Sequence, residues 1–310
     1  MSKTQYADAL KDFEMTLSQK SFATKKITFS GVGQKDVYNI TAPFESAGKT
    51  IIAGRVESRD SEHSEVFFFE ESHDQWLPIE AAPTFSLQDP FFSKINNELL
   101  IGGVEIFPAP CGTANKLSWR TIFMKGKDIY SLEKFFQGPE HMKDLRLVEL
   151  TDHRIGVFTR PQGDKGGRGK IGYTEVDSLK DLSIDIVNDA PIFDQFHDDE
   201  WGGANEIHLL SNGTLGILGH IAKFSQNDTV RHYASVAFSY NPRTQVKSAM
   251  KIIASRNLFS PGEAKRPDLE DVIFSGGLQR LSNGKARLYV GAGDAEAHWL
   301  EIADPFTEWE

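Results

Sequence analysis

Two series of polar side chains recur along the chain beside short apolar runs. Asn39, Asp89, Asp144 and Asn205 open one set of runs; Arg55 with Glu57, Glu105, Arg160, His220 and Asp294 close another. These are the residue types of a site that handles a proton and an anion. A carboxyl group trades protons efficiently when its surroundings bring its pKa toward neutrality. Arginine is the planar fork that fits phosphate or carboxylate. Charges withdrawn from water must be paired or must bind something. Several acids, at least two arginines and a histidine in phase suit a sugar beside an oxyanion. Trp119, Trp201, Tyr173 and Phe91 offer faces on which a sugar could stack.

Asp89 is the least expected member. It stands in Gln-Asp-Pro-Phe-Phe, residues 88–92, at the mouth of an apolar strand, although acids are depleted in strands. A turn-capping Asp is one explanation. The chemical one is that Phe91 and Phe92 desolvate the carboxyl group, which raises its pKa and keeps a proton ready for a leaving oxygen.

The elements that must position these groups form a repeat. The first strands are NITAPF (39–44), DPFFSKI (89–95), DLRLVEL (144–150), NEIHLL (205–210) and VIFSGGLQRL (272–281). The second strands are KTIIAGRVE (49–57), ELLIGGVEIF (98–107), RIGVFTRP (154–161), TLGILGHI (214–221) and ARLYVGAGD (286–294). Outer strands follow at EVFFFEE (65–71), WRTIFMK (119–125), KIGYTEV (170–176), HYASVAFSY (232–240) and HWLEIAD (298–304). Fourth-strand candidates are WLPIE (76–80), LSIDIV (182–187) and VKSAMKIIA (246–254). Five copies spaced about 50 to 70 residues apart predict an all-β fold, a five-bladed β-propeller over residues 25–310, with a β-sandwich as the competing architecture. KKITFSG (25–31) is expected to supply the missing last strand and close the ring. Tyr6, Leu10, Phe13, Met15 and Leu17 predict a short amphipathic helix within an N-terminal segment, residues 1–24, with a face that a second copy of the chain could cover.

Composition narrows the function. The chain has 310 residues, a net charge of −10 and 22 phenylalanines for its core. The acidic balance argues against a broad nucleic-acid surface. One cysteine, Cys111, excludes disulfide frameworks and Cys-based zinc sites and reads as a bystander thiol. No signal peptide or membrane-length apolar run is evident, so the expected compartment is the cytoplasm. GDKGGRGK (163–170) is not followed by the Ser or Thr and helix of a phosphate loop, and reads as a hairpin loop beside the site. FHDDEWGG (196–203) reads as a solvated loop rather than a metal site, with Glu200 and Trp201 as candidates for an acceptor sugar. Glu270 and Asp271 could be a second carboxylate for activating water.

"NITAPF", "GRVESRD", "LQDPFF", "WRTIFMKG", "IGVFTRPQG", "GANEIHLL" and "VIFSGGLQRLSNGKARLYVGAGDA" together resemble the five-bladed propellers of the β-mannoside phosphorylase clan. The nearest likeness is to a family long catalogued as a domain of unknown function, some of whose members are β-1,2-mannan phosphorylases that also act as mannosyltransferases. The likeness runs in order over residues 30–305. It implies that Asp89 is the proton donor, in Asp-Pro-Phe where the clan has Asp-Pro-Arg. It implies that Arg120, Arg160 and His220 bind phosphate, with Lys170 or Lys143 as a further cation. It places Asn39, Arg55, Glu57 and Asp294 around the sugar; Asp144 and Asn205, at the same point of their repeats, complete that set. The implied reaction is inverting phosphorolysis of β-linked, β-1,2 in particular, manno-oligosaccharides. Inorganic phosphate is the co-substrate, no cofactor or metal is needed, and mannose 1-phosphate or GDP-mannose serves as donor in the reverse sense. An inverting hydrolase and a carbohydrate-binding propeller without chemistry are the alternatives.

Overall fold

Runs rich in β-branched and aromatic residues form strands throughout, because such side chains suit a pleated, half-buried surface. In the computed structural model, which describes residues 3–17, 22–109, 117–225 and 227–310, strands come in antiparallel hairpins from Asp36–Tyr38 to Glu296–Ala303. Cys111 lies outside the described residues.

The first sheet has five strands: Asp36–Tyr38, Phe44–Ser46, Lys49–Glu57, Glu65–Ser72 and Gln75–Pro78. The second has four: Gln88–Ile95, Glu98–Pro108, Leu117–Gly126 and Glu133–Gln137. The third has three: Arg146–Glu149, Ile155–Thr159 and Gly172–Val176. A nine-stranded sheet holds the rest. Among the described residues its halves, built around Leu215–Phe224 and Lys285–Ala292, share strand pairing only where His232 and Tyr233 lie parallel to Asp271 and Val272. Thr24–Lys26 pairs with Glu296–Ala303, and the next residues, Thr28 and Ser30, bond to Trp76 of the first sheet. Residues 24–30 therefore tie the last strands to the first.

Apolar clusters sit between successive sheets. Ile51 and Phe68 meet Leu99, Ile101 and Ile122; Phe123 meets Leu147 and Val157; Leu218 and Ala237 meet Ile273 and Leu288. Ile52, Phe69 and Trp76 of the first sheet meet Tyr289 and Ala297 of the last. Each such fully buried side chain stabilises the fold by roughly 1.5–3 kcal/mol relative to exposure.

The first strand of each hairpin lies innermost: Gln88–Ile95, Arg146–Glu149, Glu200–Leu209 and Asp271–Arg280 pack on one another. Close packing there needs small residues. A Cβ on Gly102 would fall 2.1 Å from Cζ of Phe91, whose ring is itself pinned 3.7 Å below the Arg146 guanidinium. Gly102→Ala is expected to lower the unfolding free energy by about 1–3 kcal/mol in chemical denaturation, and an unchanged midpoint would show that this contact is slack.

Three predicted elements differ. NITAPF is not a strand from Asn39 to Pro43; strands flank it at Asp36–Tyr38 and Phe44–Ser46. LSIDIV is not a strand: Ser183 caps the helix Ile184–Asp189 through the N–H of Ile186, 3.3 Å from Oγ. VKSAMKIIA is split into Val246–Lys247 and Lys251–Ala254. The N-terminal helix, Tyr6–Leu17, buries Tyr6 and packs Ala9, Leu10 and Phe13 on the core, while Met15 is 63% exposed. Glu200 accepts the Tyr6 N–H at 2.6 Å, so it anchors this helix and is not an acceptor-sugar contact.

Candidate active site

The inner strands break their ladders where the polar residues fall. The register slips between Gln88 and Phe91, between Ala204 and Glu206, and between Ser275 and Gly277. Asp89 and Asn205 occupy two of these bulges. Asn39, Asp89 and Asp144 share a left-handed backbone, with φ of 45°, 49° and 59°. Asn and Asp tolerate that conformation better than other L residues, and a bulge re-aims the side chain it carries. Gly276 fills the third bulge because a Cβ would meet the Ile40 carbonyl oxygen at 1.6 Å; Asp294, also left-handed at φ 52°, serves that side. Local backbone conformation thus turns these side chains into a cavity of about 420 Å³, lined by Asn39, Arg55, Asp89, Asp144, Arg160, His220 and Asp294 among others. That is the size of a small-ligand site.

One wall is a carboxyl pair. Asn39 Nδ2 donates to Asp89 Oδ1 at 2.7 Å and to Asp294 Oδ1 at 3.4 Å, and Arg55 Nη1 donates to Asp89 Oδ1 at 3.0 Å. Both bonds to Asp89 fall on Oδ1; no described residue bonds Oδ2, which opens on the cavity. Burial, reinforced by the charge of Asp89 and opposed by Arg55, holds the Asp294 pKa above the usual carboxyl range. Phe91 and Phe92 are not what encloses Asp89. They line a separate cavity of about 690 Å³ with Arg146 and Glu206. The Pro90 bulge separates the carboxylate from the rings that follow it, and Asn39 and Arg55 take their place.

Behind this wall Arg55 is clamped. Its Nε donates to Glu57 Oε2 at 2.7 Å and Ser64 Oγ at 2.9 Å, and its guanidinium lies 4.8 Å from the Tyr38 ring centre. Glu57 also accepts from the Tyr38 hydroxyl at 2.8 Å and from Lys265 at 2.5 Å. Glu57 is buried and does not line the cavity, so it positions Arg55 rather than touching a sugar.

The same cavity also holds cationic side chains. Arg160 Nε donates to the Gly202 carbonyl at 2.8 Å and lies 3.4 Å from Asp144 Oδ2, while its Nη1 is buried without a hydrogen-bond partner. Lys143 lines the same cavity, and its Nζ has no partner among the described residues. Burial opposes the charge on Asp144, but Arg160 and its cationic neighbours hold its pKa below the usual range. His220 faces the cavity with Nδ1 2.9 Å from Asn205 Oδ1 and its ring stacked on Tyr233, centroids 5.6 Å apart. Burial pushes its pKa down to about 3, with Arg160 and Lys143 adding to the push and Asp144 opposing it. His220 is therefore a neutral acceptor or donor, not the cation that the sequence suggested. Asn205 does not line the cavity; it orients His220, and its carbonyl takes the Arg146 Nε–H at 2.6 Å.

Arg120 and Lys170 stand outside the cavity. Arg120 pairs with Glu105 at 2.6 Å across adjacent strands, and Lys170 pairs with Asp194 at 2.6 Å. Arg168, from the same glycine-rich loop as Lys170, lines the cavity instead, 5.6 Å from the Trp201 ring centre. Arg231, Arg266, Gln162 and Tyr233 were also missed; only the basic cluster of residues 163–170 carried a signal. Trp201 is the one proposed stacking aromatic in this cavity: Tyr173 packs on Phe158 and Trp119 on His141. Asp271 bonds His232 at 2.6 Å, and neither it nor Glu270 reaches the cavity. Among the described residues no cluster of metal-ligating type is present, and no helix is long and apolar enough to cross a membrane.

Comparison with known proteins gives this geometry a context. The chain is similar to a mannose phosphorylase from Leishmania mexicana, solved in complex with a phosphate ion, at 33% identity and a TM-score of 0.89 over 97% of this chain and 94% of that one. It is similar to a GDP-Man-dependent mannosyltransferase of the same organism at 34% identity and a TM-score of 0.88, over 99% and 97%. A β-1,2-mannobiose phosphorylase from Listeria innocua shares the fold at 12% identity and a TM-score of 0.59, over 93% of each chain. The chain has no significant match among curated proteins. The model of the family described as "Protein of unknown function (DUF1861)" matches residues 14–308, and the chain belongs to that family.

Proposed function

We propose that the protein is an inverting mannoside phosphorylase and mannosyltransferase acting on β-linked, in particular β-1,2-linked, manno-oligosaccharides. The observation that carries this reading is an open carboxyl oxygen, Asp89 Oδ2, in the same cavity as two cationic side chains, Arg160 and Lys143. The mannosyl unit is held between Asn39, Arg55, Asp89 and Asp294 on one side and the cationic wall on the other. Asp89 gives its proton to the glycosidic oxygen as the C1–O bond breaks. A phosphate oxygen, oriented by Arg160 and Lys143 with Arg168 at the rim, attacks C1 from the opposite face. The product is α-mannose 1-phosphate, and the shortened saccharide leaves with the proton. Phosphate arrives already charged, so no second carboxylate is required to activate it; positioning and charge stabilisation suffice. In reverse, mannose 1-phosphate extends a chain. GDP-mannose, whose leaving group presents a phosphate to the same wall, is the second donor, a reading supported by the similar GDP-Man-dependent enzyme.

The fold reading completes the proposal. The five-bladed propeller over residues 25–310 is part of the same proposal; it is supported by the two-residue parallel contact at which the nine-stranded sheet divides and by the apolar cluster shared by the first and last sheets. In that reading residues 1–24 form a separate N-terminal segment whose described helix, Tyr6–Leu17, packs on the propeller, and the sequence suits a cytoplasmic protein.

The test is phosphorolysis of β-1,2-mannobiose followed by ³¹P NMR. A phosphate-dependent signal of the α-anomer is expected; release of free mannose at the same rate without phosphate would make the protein a hydrolase. Arg160→Lys keeps the charge but loses the fork, and is expected to raise the KM for phosphate by about 10-fold with a smaller change in kcat. An unchanged KM would place the anion elsewhere.

A further inference from the structure

We infer that the anion end of the cavity reads a proton: it accepts an oxyanion that carries an O–H, such as hydrogen phosphate or arsenate, and discriminates against sulfate through the lone pair of His220 Nε2. The inference rests on the phosphate reading above and deepens it.

The wall offers two kinds of group. Arg160 and Lys143 are donors, Arg160 Nη1 and Lys143 Nζ having no partner among the described residues, and such cations attract any oxyanion alike. Asp144 and His220 face the same space as acceptors. Asp144 is tied to Arg160 at 3.4 Å and stays ionised, so it only accepts. The tautomer of His220 follows from its neighbour. Asn205 presents Oδ1 to Nδ1 at 2.9 Å, its own Nδ2 being buried without a partner among the described residues, and in that orientation the ring hydrogen lies on Nδ1. Nε2 of the neutral ring is then a lone pair, has no partner among the described residues, and opens on the cavity.

The ring packs against Tyr233 and Phe274, each 5.6 Å away centroid to centroid, which limits its turning. The Asn205 backbone sits in a strand bulge, its main-chain carbonyl held by Arg146. The charged groups around the ring are Arg160, Lys143 and Arg146, which oppose a second proton on it, and Asp144, which favours one.

At neutral pH phosphate and arsenate each keep at least one O–H, which can be donated to Nε2 or to Asp144. Sulfate has none. Seated in the same place, it would set lone pair against lone pair and leave buried acceptors unpaired. A site built this way keeps a competing, equally charged anion out of the position from which the nucleophile attacks.

Titration calorimetry at constant ionic strength with phosphate, arsenate and sulfate tests the inference. Phosphate and arsenate are expected to bind with similar Kd, and sulfate about 10–100-fold more weakly. In His220→Gln the side-chain amide can turn its N–H toward the anion, and the gap is expected to shrink to about 3-fold or less. Sulfate binding as tightly as phosphate to the wild type overturns the inference and leaves the phosphorylase reading standing; absence of binding by all three anions overturns both. An unchanged gap in a folded His220→Gln protein removes the role from this histidine. Should that variant not fold, ¹⁵N NMR of the wild type decides: an unprotonated Nε2 at neutral pH supports the assignment, and a protonated one overturns it.

Discussion

Asp89→Asn lowers phosphorolysis of β-1,2-mannobiose by about 10²–10⁴-fold, the usual range for loss of a general acid. The substitution is nearly isosteric. Oδ1 can still accept from Asn39 and Arg55, the two bonds that now fix it at 2.7 Å and 3.0 Å. What disappears is the carboxyl oxygen that opens toward the cavity and can pass a proton to the leaving group. The loss therefore falls on kcat, while the KM for phosphate, set across the cavity by Arg160 and Lys143, changes little. The deficit also depends on the leaving group. An aryl mannoside whose phenolate departs without protonation retains far more of the wild-type rate than mannobiose does. Steady-state kinetics on both substrates separates the cases: an equal loss on each would mean that Asp89 positions the sugar and does not protonate, and no loss on either would remove it from the reaction.

The likeness of Asn39, Asp89, Asp144 and Asp294 was legible because residue type reported backbone conformation. A left-handed position at a strand mouth admits Asn or Asp readily, and the repeat showed which such residues share a place. What lay beyond reach was the partner of each charge. Arg120 has the composition of a phosphate ligand, yet strand register sets Glu105 directly opposite it, and register is not readable from one strand. Glu57 and Asn205 are in phase with the site but lie one layer behind it, gripping Arg55 and His220. In the glycine-rich loop, mutual hydrogen bonds between Gly163 and Gly167 turn the chain back, so Arg168 enters the cavity while Lys170 finds Asp194. The aromatic explanation for Asp89 failed for a similar reason: period-two reasoning does not survive the bulge at Pro90. Even so, Asp89, from the second sheet, and Arg160, from the end of the third, line one cavity.

The same burial that shapes the anion wall makes the protein acid-sensitive, with a sign set by His220. Its pKa is 6.5 unfolded and about 3 folded. Above pH 6.5 both states are neutral and the full contribution is present. As pH falls below that value, the unfolded chain takes a proton that the folded site refuses, so stability drains away until about pH 3. At 1.36 kcal/mol per unit the ceiling is about 5 kcal/mol, a large part of the net stability of an ordinary domain. Asp144, held below the usual carboxyl range by Arg160, acts in the same direction at lower pH. Asp294 and Glu200, raised by burial, act in the opposite sense, since the folded state binds their protons more tightly. The wild-type profile alone is therefore a sum, and the difference between wild type and His220→Gln isolates the histidine. Between pH 7 and pH 5, urea denaturation is expected to show the wild type losing about 2 kcal/mol more than the variant. Parallel profiles over that interval would mean that His220 can be protonated in place, and with it would go the argument that its Nε2 is a lone pair facing the anion.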